Sequence, residues 1–340
     1  MSMALKEAKS GLGLTYPNPP VGCVIVCDGK VVSSARTGNN GRPHAEEQAM
    51  KYLTPAILSK SIMYTTLEPC CHRNINAPTC VNQIISSKIP KIVIGTIDPN
   101  PKINHQSIDL LHKANIEVIT GVLEQECEDI ISGFRSRILK NRPYITIKIA
   151  MSLDGKIALQ NGQSKWITSS TLRKCGQKLR AENDAIMTGV GTLIRDNPML
   201  TVRLENYMQK PLRIILDSNL QINENMRICK NVDTVRTVVF HHKKNIKKLK
   251  NIEYFYVEKD QYGLNLTLIL KKISEIGINN LLVEAGQKII TSFIKQRLVD
   301  KIVVFSDDKI LGDDALSAVG SLSIKELKSA PQFKTVVIRS

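Results

Sequence analysis

His44, Cys70 and Cys80 constrain the fold of this chain more than any other residues. One imidazole and two thiols form a donor set that holds Zn²⁺ with its fourth coordination position open. Bringing them to one point requires a strand to end beside the start of a helix. Tyr64-Thr65-Thr66-Leu67 reads as a strand that ends at Glu68, after which Pro69-Cys70 begins the next element. Pro43-His44 opens a helical stretch from Glu46 to Leu53, and another helix is expected after Cys80. Ligands at helix N-termini gain from the positive end of the macrodipole, which favours thiolate.

Glu46 follows His44 by two residues, too close to act as a further ligand and well placed to carry protons. The order His-x-Glu, Pro-Cys, Cys is the signature of zinc-dependent deamination of a nucleobase-like ring. In that chemistry the metal activates water for attack on an amidine-like carbon, and the glutamate passes a proton to the departing amine. A structural zinc site, or three unrelated core residues, is the plainer reading. The placement of the ligands at element ends argues for catalysis. The nine residues between Cys70 and Cys80, against the usual two, set this chain apart from nucleoside deaminases.

A chain of 340 residues has room for two domains and two ordinary cores. Its apolar content of 42% is that of a globular protein, no apolar run is long enough to cross a bilayer, and no signal-peptide pattern opens it. Eight irregularly spaced cysteines, some of them metal ligands, imply a reducing cytoplasm. The net charge of +16 comes mostly from scattered lysines, the one dense run being His242 to Lys250. Without interleaved aromatic residues this does not point to nucleic acid, and it suits anionic small substrates equally well.

A helix over 2–10 and a hairpin turning at Asp28-Gly29, between Val21–Val26 and Lys30–Ser34, come first. Strands near 62–66, 91–95 and 116–119 then alternate with helices after Cys80 and near 105–114. This predicts an α/β/α layered domain with its metal site at the carboxyl edge of the central strands. The polar Lys140-Asn141-Arg142-Pro143 reads as a linker, which gives domains at 1–141 and 142–340. The second α/β series has strands beginning at Tyr144 and at 185–188, 212–216, 237–240, 280–283 and 301–305. Its helices lie near 169–181 and 286–296.

Three segments of the second half carry chemistry. Met151-Ser152-Leu153-Asp154-Gly155-Lys156 is followed by Ser164-Lys165-Trp166, which holds the only tryptophan, placed either in the core or in a cofactor wall. Thr188-Gly189-Val190-Gly191-Thr192 leads to Asp196-Asn197-Pro198-Met199-Leu200-Thr201-Val202-Arg203. Val283-Glu284-Ala285-Gly286 enters a helix. Small residues between a strand and a helix leave N–H groups free for phosphate. Neither glycine stretch is a dinucleotide-binding fingerprint, since Ile194 stands where the third glycine would be and Gly286 has no glycine neighbours.

Over nearly its whole length the chain resembles the bifunctional deaminase–reductase family of riboflavin biosynthesis. The motifs are Pro17-Asn18-Pro19-Pro20-Val21-Gly22, His44-Ala45-Glu46, Thr66-Leu67-Glu68-Pro69-Cys70, Asp98-Pro99-Asn100-Pro101 and the three segments above. The resemblance implies a cytidine-deaminase-like domain followed by a dihydrofolate-reductase-like α/β domain, with one Zn²⁺ per chain and NADPH as cofactors. It implies deamination of 2,5-diamino-6-(5-phosphoribosylamino)pyrimidin-4(3H)-one, then reduction of the ribosyl group to ribityl. The partner is thus a phosphorylated pyrimidine, and the protein a homo-oligomer.

By the same resemblance His44, Cys70 and Cys80 hold zinc, Glu46 is catalytic and Asn18 meets the pyrimidine. Ala150, Trp166, Thr192, Asp196 and Ser218 lie along NADPH. Gly286, Gln287, Lys288, Ile289, Ile290, Thr291 and Ser292 cradle its phosphates. Ser164, Leu200, Arg203 and Glu284 touch the substrate, Arg203 being suited to phosphate by its forked donors. The chain departs from the family at Thr37, where a substrate-facing His is usual, at Arg42, where Glu is usual, and in the loop Ile75-Asn76-Ala77-Pro78-Thr79, which lacks the usual basic residue. Arg42 or Arg73 would restore that charge. The departures leave two alternatives: a reductase with a weak deaminase domain, and an RNA-editing deaminase, which leaves the second half unexplained.

Overall fold

Asp28 and Gly29 both take positive φ, 49° and 73°, and so turn a tight hairpin between β1 (Gly22–Cys27) and β2 (Lys30–Arg36). This computed structural model describes residues 1–72, 78–205, 207–244 and 247–334. The chain divides into two compact units, 1–143 with 273–279, and 144–272 with 280–340. The division falls two residues beyond the expected linker boundary. Ser136 accounts for this, since its hydroxyl donates to the carbonyl of Arg142 at 2.9 Å and ties that residue to the preceding helix.

In the first unit α1 (Ser2–Ser10) lies on β1 so closely that a Cβ at Gly22 would stand 1.9 Å from the carbonyl of Ala4. After β2 come α2 (Ala45–Met50), α3 (Pro55–Leu58), β3 (Ser61–Leu67), α4 (Cys80–Ser86), β4 (Lys91–Thr96), α5 (Gln106–Lys113) and β5 (Glu117–Ile119). Helices α6 (Glu124–Ile130) and α7 (Ser132–Lys140) close the unit. The sheet order is β2-β1-β3-β4-β5, antiparallel at β1 and parallel from β3 onward. Val24, Ile25, Met63, Ile92 and Ile94 fill it from within. Helix α2 stops at Met50, short of the expected Leu53. Helices α3, α6 and α7 add to the elements that the sequence pattern predicts.

The second unit holds β6 (Tyr144–Met151), β7 (Lys156–Ala158), α8 (Ser170–Ala181), β8 (Ala185–Gly189), α9 (Val190–Asp196), β9 (Leu212–Leu216), β10 (Thr237–His241), β11 (Glu253–Tyr256), β12 (Lys259–Asp260) and β13 (Gly263–Leu264). It continues with β14 (Asn280–Val283), α11 (Gln287–Lys295), β15 (Lys301–Ser306) and β16 (Leu316–Ser317). Between β13 and β14, α10 (Leu266–Glu275) spans the change of unit. The main sheet runs β11-β10-β9-β8-β14-β6-β15 and is parallel at every pairing. Parallel strands are covered on both faces and so read as unbroken apolar runs. Leu281-Leu282-Val283 and Ile214-Ile215 are such runs, each residue fully buried. In such sheets, sites gather at the carboxyl ends of the strands.

Candidate functional site

β3 ends at Leu67, and the chain then passes through Glu68-Pro69-Cys70 as irregular backbone. Glu68 anchors that stretch. Its carboxylate accepts the backbone N–H groups of Asp98 (3.2 Å), His105 (3.1 Å) and Ser107 (3.2 Å). The Asp98-Pro99-Asn100-Pro101 motif supplies part of this anchor. Asp98 is buried, which pushes its carboxyl up to about 7, and it accepts the N–H of Asn100 at 2.7 Å.

Cys70 therefore stands at the carboxyl edge of β3, where His44 and Cys80 meet it. The Nδ1 of His44 lies 3.3 Å from Cys80 Sγ and 3.4 Å from Cys70 Sγ. The three ligand atoms lie within 4.8 Å of one another. His44 is the N-cap of α2, and Cys80 is the first residue of α4. Cys70 lies in irregular backbone and does not begin the next element as the sequence reading has it. It lies against the start of α4 instead, with the N–H of Cys80 pointing at its sulfur over 3.5 Å. Hydrogen bonding from the Cys80 thiol, and then from His44, outweighs burial and holds Cys70 down at about 3. One nitrogen facing two sulfurs, one of them already thiolate-like, is a donor set that fits zinc.

Glu46, on the first turn of α2, is buried beside this cluster. Its Oε1 accepts from the Thr65 hydroxyl at 3.2 Å, and its Oε2 lies 3.6 Å from Cys80 Sγ. Burial raises its pKa, which moves a carboxylate toward the range useful for proton transfer. Asn18 Nδ2 donates to the carbonyl of Gly41 at 2.8 Å and stands 3.4 Å from His44 Nε2. Thr37 is buried, accepting the N–H of Val21 at 3.0 Å and donating to Pro19 at 3.1 Å, so it fixes the loop that carries Asn18. Arg42 is exposed. Cys71 packs on the core and is no part of the metal cluster. Arg73 and the altered residues Ile75, Asn76 and Ala77 lie outside the described residues.

In the second unit a cleft of about 370 Å³ opens at the carboxyl ends of β6, β8 and β14. Of the residues expected along the cofactor, Ala150, Trp166, Thr192, Asp196, Gly286 and Ile290 line it. So do the four expected substrate contacts, Ser164, Leu200, Arg203 and Glu284. Ser218, just beyond β9, does not. Neither do Gln287, Lys288, Ile289, Thr291 and Ser292. Thr291 and Ser292 turn their hydroxyls back to the carbonyls of Gln287 and Lys288 within α11. Trp166 is not a core residue: 63% of it is exposed, and the Arg173 guanidinium lies 4.4 Å from its ring centroid. The Cβ position of Gly189 would come 2.5 Å from Ile289 Cδ1, so this side chain of α11 packs directly on the end of β8.

Arg180 and Lys148 also line this cleft, and sequence reasoning missed both. Arg180 reaches Glu284 from α8 with two hydrogen bonds, and Lys148 stands 3.4 Å from the same carboxylate. Lys148 was detectable as a lone cation interrupting the apolar run of β6, whereas nothing marked Arg180 among the charges of α8. The cleft contains seven Lys and Arg side chains against two carboxylates, Asp196 and Glu284. Burial and the neighbouring cations Arg180 and Arg227 lower the pKa of Arg203, as expected of a cluster built to receive an anion.

A family model described as the RibD C-terminal domain matches residues 143–339, and one described as the cytidine and deoxycytidylate deaminase zinc-binding region matches residues 1–96. The riboflavin biosynthesis protein RibD of Aquifex aeolicus is 39% identical over 334 residues, covering 97% of this chain and 91% of that protein.

The chain belongs to the RibD family.

RibD of Escherichia coli is 32% identical, with 100% of this chain and 95% of that protein covered. Among solved structures, a diaminohydroxyphosphoribosylaminopyrimidine deaminase/5-amino-6-(5-phosphoribosylamino)uracil reductase from Thermotoga maritima superposes with a TM-score of 0.88 at 34% identity, over 99% of this chain and 93% of that one. Acinetobacter baumannii RibD gives 0.87 at 29% identity, over 99% and 93%. As a RibD, this protein is a bifunctional enzyme of riboflavin biosynthesis, with a zinc-binding deaminase domain and a reductase domain.

Proposed function

We propose that the deaminase, over 1–141, hydrolyses the 2-amino group of 2,5-diamino-6-(5-phosphoribosylamino)pyrimidin-4(3H)-one. The reductase, over 142–340, then converts the ribosyl group of the product to ribityl with NADPH. What carries this reading is the pairing, in one chain, of a His44/Cys70/Cys80 cluster beside a buried Glu46 with a separate cation-rich cleft.

His44, Cys70 and Cys80 would hold one zinc ion per chain, which would supply the Lewis acidity that makes water nucleophilic near neutral pH. Glu46 takes the proton of the attacking water on one carboxylate oxygen and delivers it to the amine, which leaves as ammonia. Thr65 fixes the orientation of that carboxylate, and Asn18 meets the ring at the mouth of the site. NADPH supplies hydride for C1′ of the sugar. As C1′ is reduced its bond to the ring oxygen breaks, and that oxygen gains a proton to become a hydroxyl. Trp166 and Asp196 would hold the cofactor, the helix that follows Gly286 would receive its phosphates, and Arg203 would bind the substrate phosphate.

The enzyme works on a small molecule in the cytoplasm, as a homo-oligomer, and not on nucleic acid. In support, all eight cysteines are free, no helix among the described residues is long and apolar enough to cross a membrane, and the scattered lysines form no aromatic-lined track. The family resemblance supports the oligomer. Nothing favours the reductase-only or RNA-editing alternatives.

Mass spectrometry of the diaminopyrimidinone nucleotide after incubation with zinc-loaded protein tests the reading. The deaminated ribosyl product should form without NADPH, and the ribityl product with it. Reduction of separately supplied deaminated substrate with no deamination would leave only the reductase half standing.

A further inference from the structure

Arg213, in the middle of the parallel sheet on β9, is completely buried. No carboxylate among the described residues pairs with it, and burial lowers its pKa to about 10. A buried guanidinium is costly unless its donors are satisfied. Here four oxygens take four of its five N–H groups. Nε donates to the Thr237 hydroxyl at 3.0 Å, Nη2 to the Val235 carbonyl at 2.9 Å, and Nη1 to Asn231 Oδ1 at 2.6 Å and to the Met199 carbonyl at 3.2 Å. Three of these partners belong to β10 and the turn that precedes it. The fourth belongs to the cleft wall.

That wall, Asn197 to Arg203, is neither helix nor strand. Asn197 and Leu200 both take left-handed backbone, φ 43° and 51°, and Leu200 is a γ-branched residue with no glycine-like freedom. Such a conformation persists only where its surroundings over-determine it. The hydrogen bonds that hold the wall come largely from outside it. Asn197 Oδ1 accepts the N–H of Arg227 at 2.7 Å, Arg180 donates to the Thr201 carbonyl at 3.2 Å, and Gln177 accepts the N–H of Arg203 at 2.9 Å. Arg213 holds the carbonyl immediately before Leu200, at the centre of the wall. Pro198, Met199, Leu200 and Arg203 all face the cleft.

We propose that Arg213 is a positioning residue of the reductase: its forked guanidinium locks the Asn197–Arg203 wall in the backbone conformation that presents Leu200 and Arg203 to the substrate. It acts through the wall and touches no ligand. The proposal rests on the reading of this cleft as the reductase site. Thr192 and Asp196 precede the wall on α9, and Asp196 receives its hydrogen bonds from Ser164 and Lys165, both at 3.4 Å, with none from Arg213, so the cofactor side should be affected less than the substrate side.

The test compares wild type with Arg213→Lys, which keeps the charge but loses the fork, and with the milder Asn231→Ala, which removes one anchor of that fork. Reductase KM for the deaminated ribosyl substrate, KM for NADPH and kcat are measured on folded protein, with amide hydrogen exchange read peptide by peptide. The expected result for Arg213→Lys is a tenfold or larger rise in substrate KM, an NADPH KM within about threefold of wild type, and faster exchange at 198–203 with β9 still protected. Asn231→Ala should move substrate KM in the same direction, by two- to fivefold. If Arg213→Lys does not fold, Asn231→Ala decides alone. Unchanged substrate KM in the folded variants overturns the proposal, as does an equal loss for both ligands. A wild type that reduces nothing would instead refute the assignment of the cleft.

Discussion

Arg180 grips both carboxylate oxygens of Glu284, Nε to Oε1 at 2.6 Å and Nη2 to Oε2 at 2.8 Å, joining α8 to the end of β14 in the lining of the second unit's cleft. Burial alone would raise the pKa of Glu284. Arg180 and Lys148 instead hold it at about 2. Removing one partner of a buried pair strands the other charge, so Arg180→Ala is expected to destabilise the reductase unit by about 3–5 kcal/mol, toward the lower figure because Lys148 remains. Denaturant melts followed through Trp166, the only tryptophan, report on that unit.

The same pair sets an acid limb. A carboxyl whose pKa is depressed in the folded state contributes stability above its ordinary value, 4.5 for glutamate, and loses that contribution as pH falls toward 2. Glu284→Gln should flatten the dependence of stability on pH between those values. Melts of wild type and variant across that range should converge at the acid end, and parallel curves would contradict the charge assignment.

Glu46→Gln should lower deamination by about 10²–10⁴-fold, the usual contribution of a positioned proton carrier. Zinc content and reduction of the deaminated substrate should stay near wild type, because Glu46 is not among the three ligand atoms that meet. Ammonia release at the wild-type rate would remove Glu46 from the mechanism.

Stripping the metal with a chelator should abolish ammonia release while NADPH oxidation with deaminated substrate continues. Metal analysis beside the two assays separates the activities. A parallel loss of both would mean that the ion supports more than the first unit.

On the proposed role of Arg203 as the partner of the substrate phosphate, Arg203→Ala removes a charge-assisted contact worth about 1.5–3 kcal/mol, so the reductase KM for substrate should rise about 10–150-fold. Cofactor binding, read by titration of NADPH fluorescence, should change little. The Arg203 side chain is exposed and its backbone N–H is held by Gln177 at 2.9 Å, so truncating the side chain should leave the fold of the cleft in place.

Local signals carried much of this protein. The Asp28-Gly29 hairpin, the apolar runs of β4, β6 and β14 and the Pro43-His44 helix start are readable because turn chemistry and burial act over a few residues. The meeting of His44, Cys70 and Cys80 was readable too, since they are rare residue types that fall close to element ends. Helices α6 and α7, and the end of α2 at Met50, were not legible, because short polar helices owe their stability to packing that no local pattern records. The sequence could not show Arg180 closing on Glu284, Glu68 gathering three backbone N–H groups, or Arg213 reaching the Met199 carbonyl. Each of these joins residues distant in the chain. Each is held by hydrogen bonds whose strength depends on exclusion of water, a condition that exists only once the sheets and helices have packed around them.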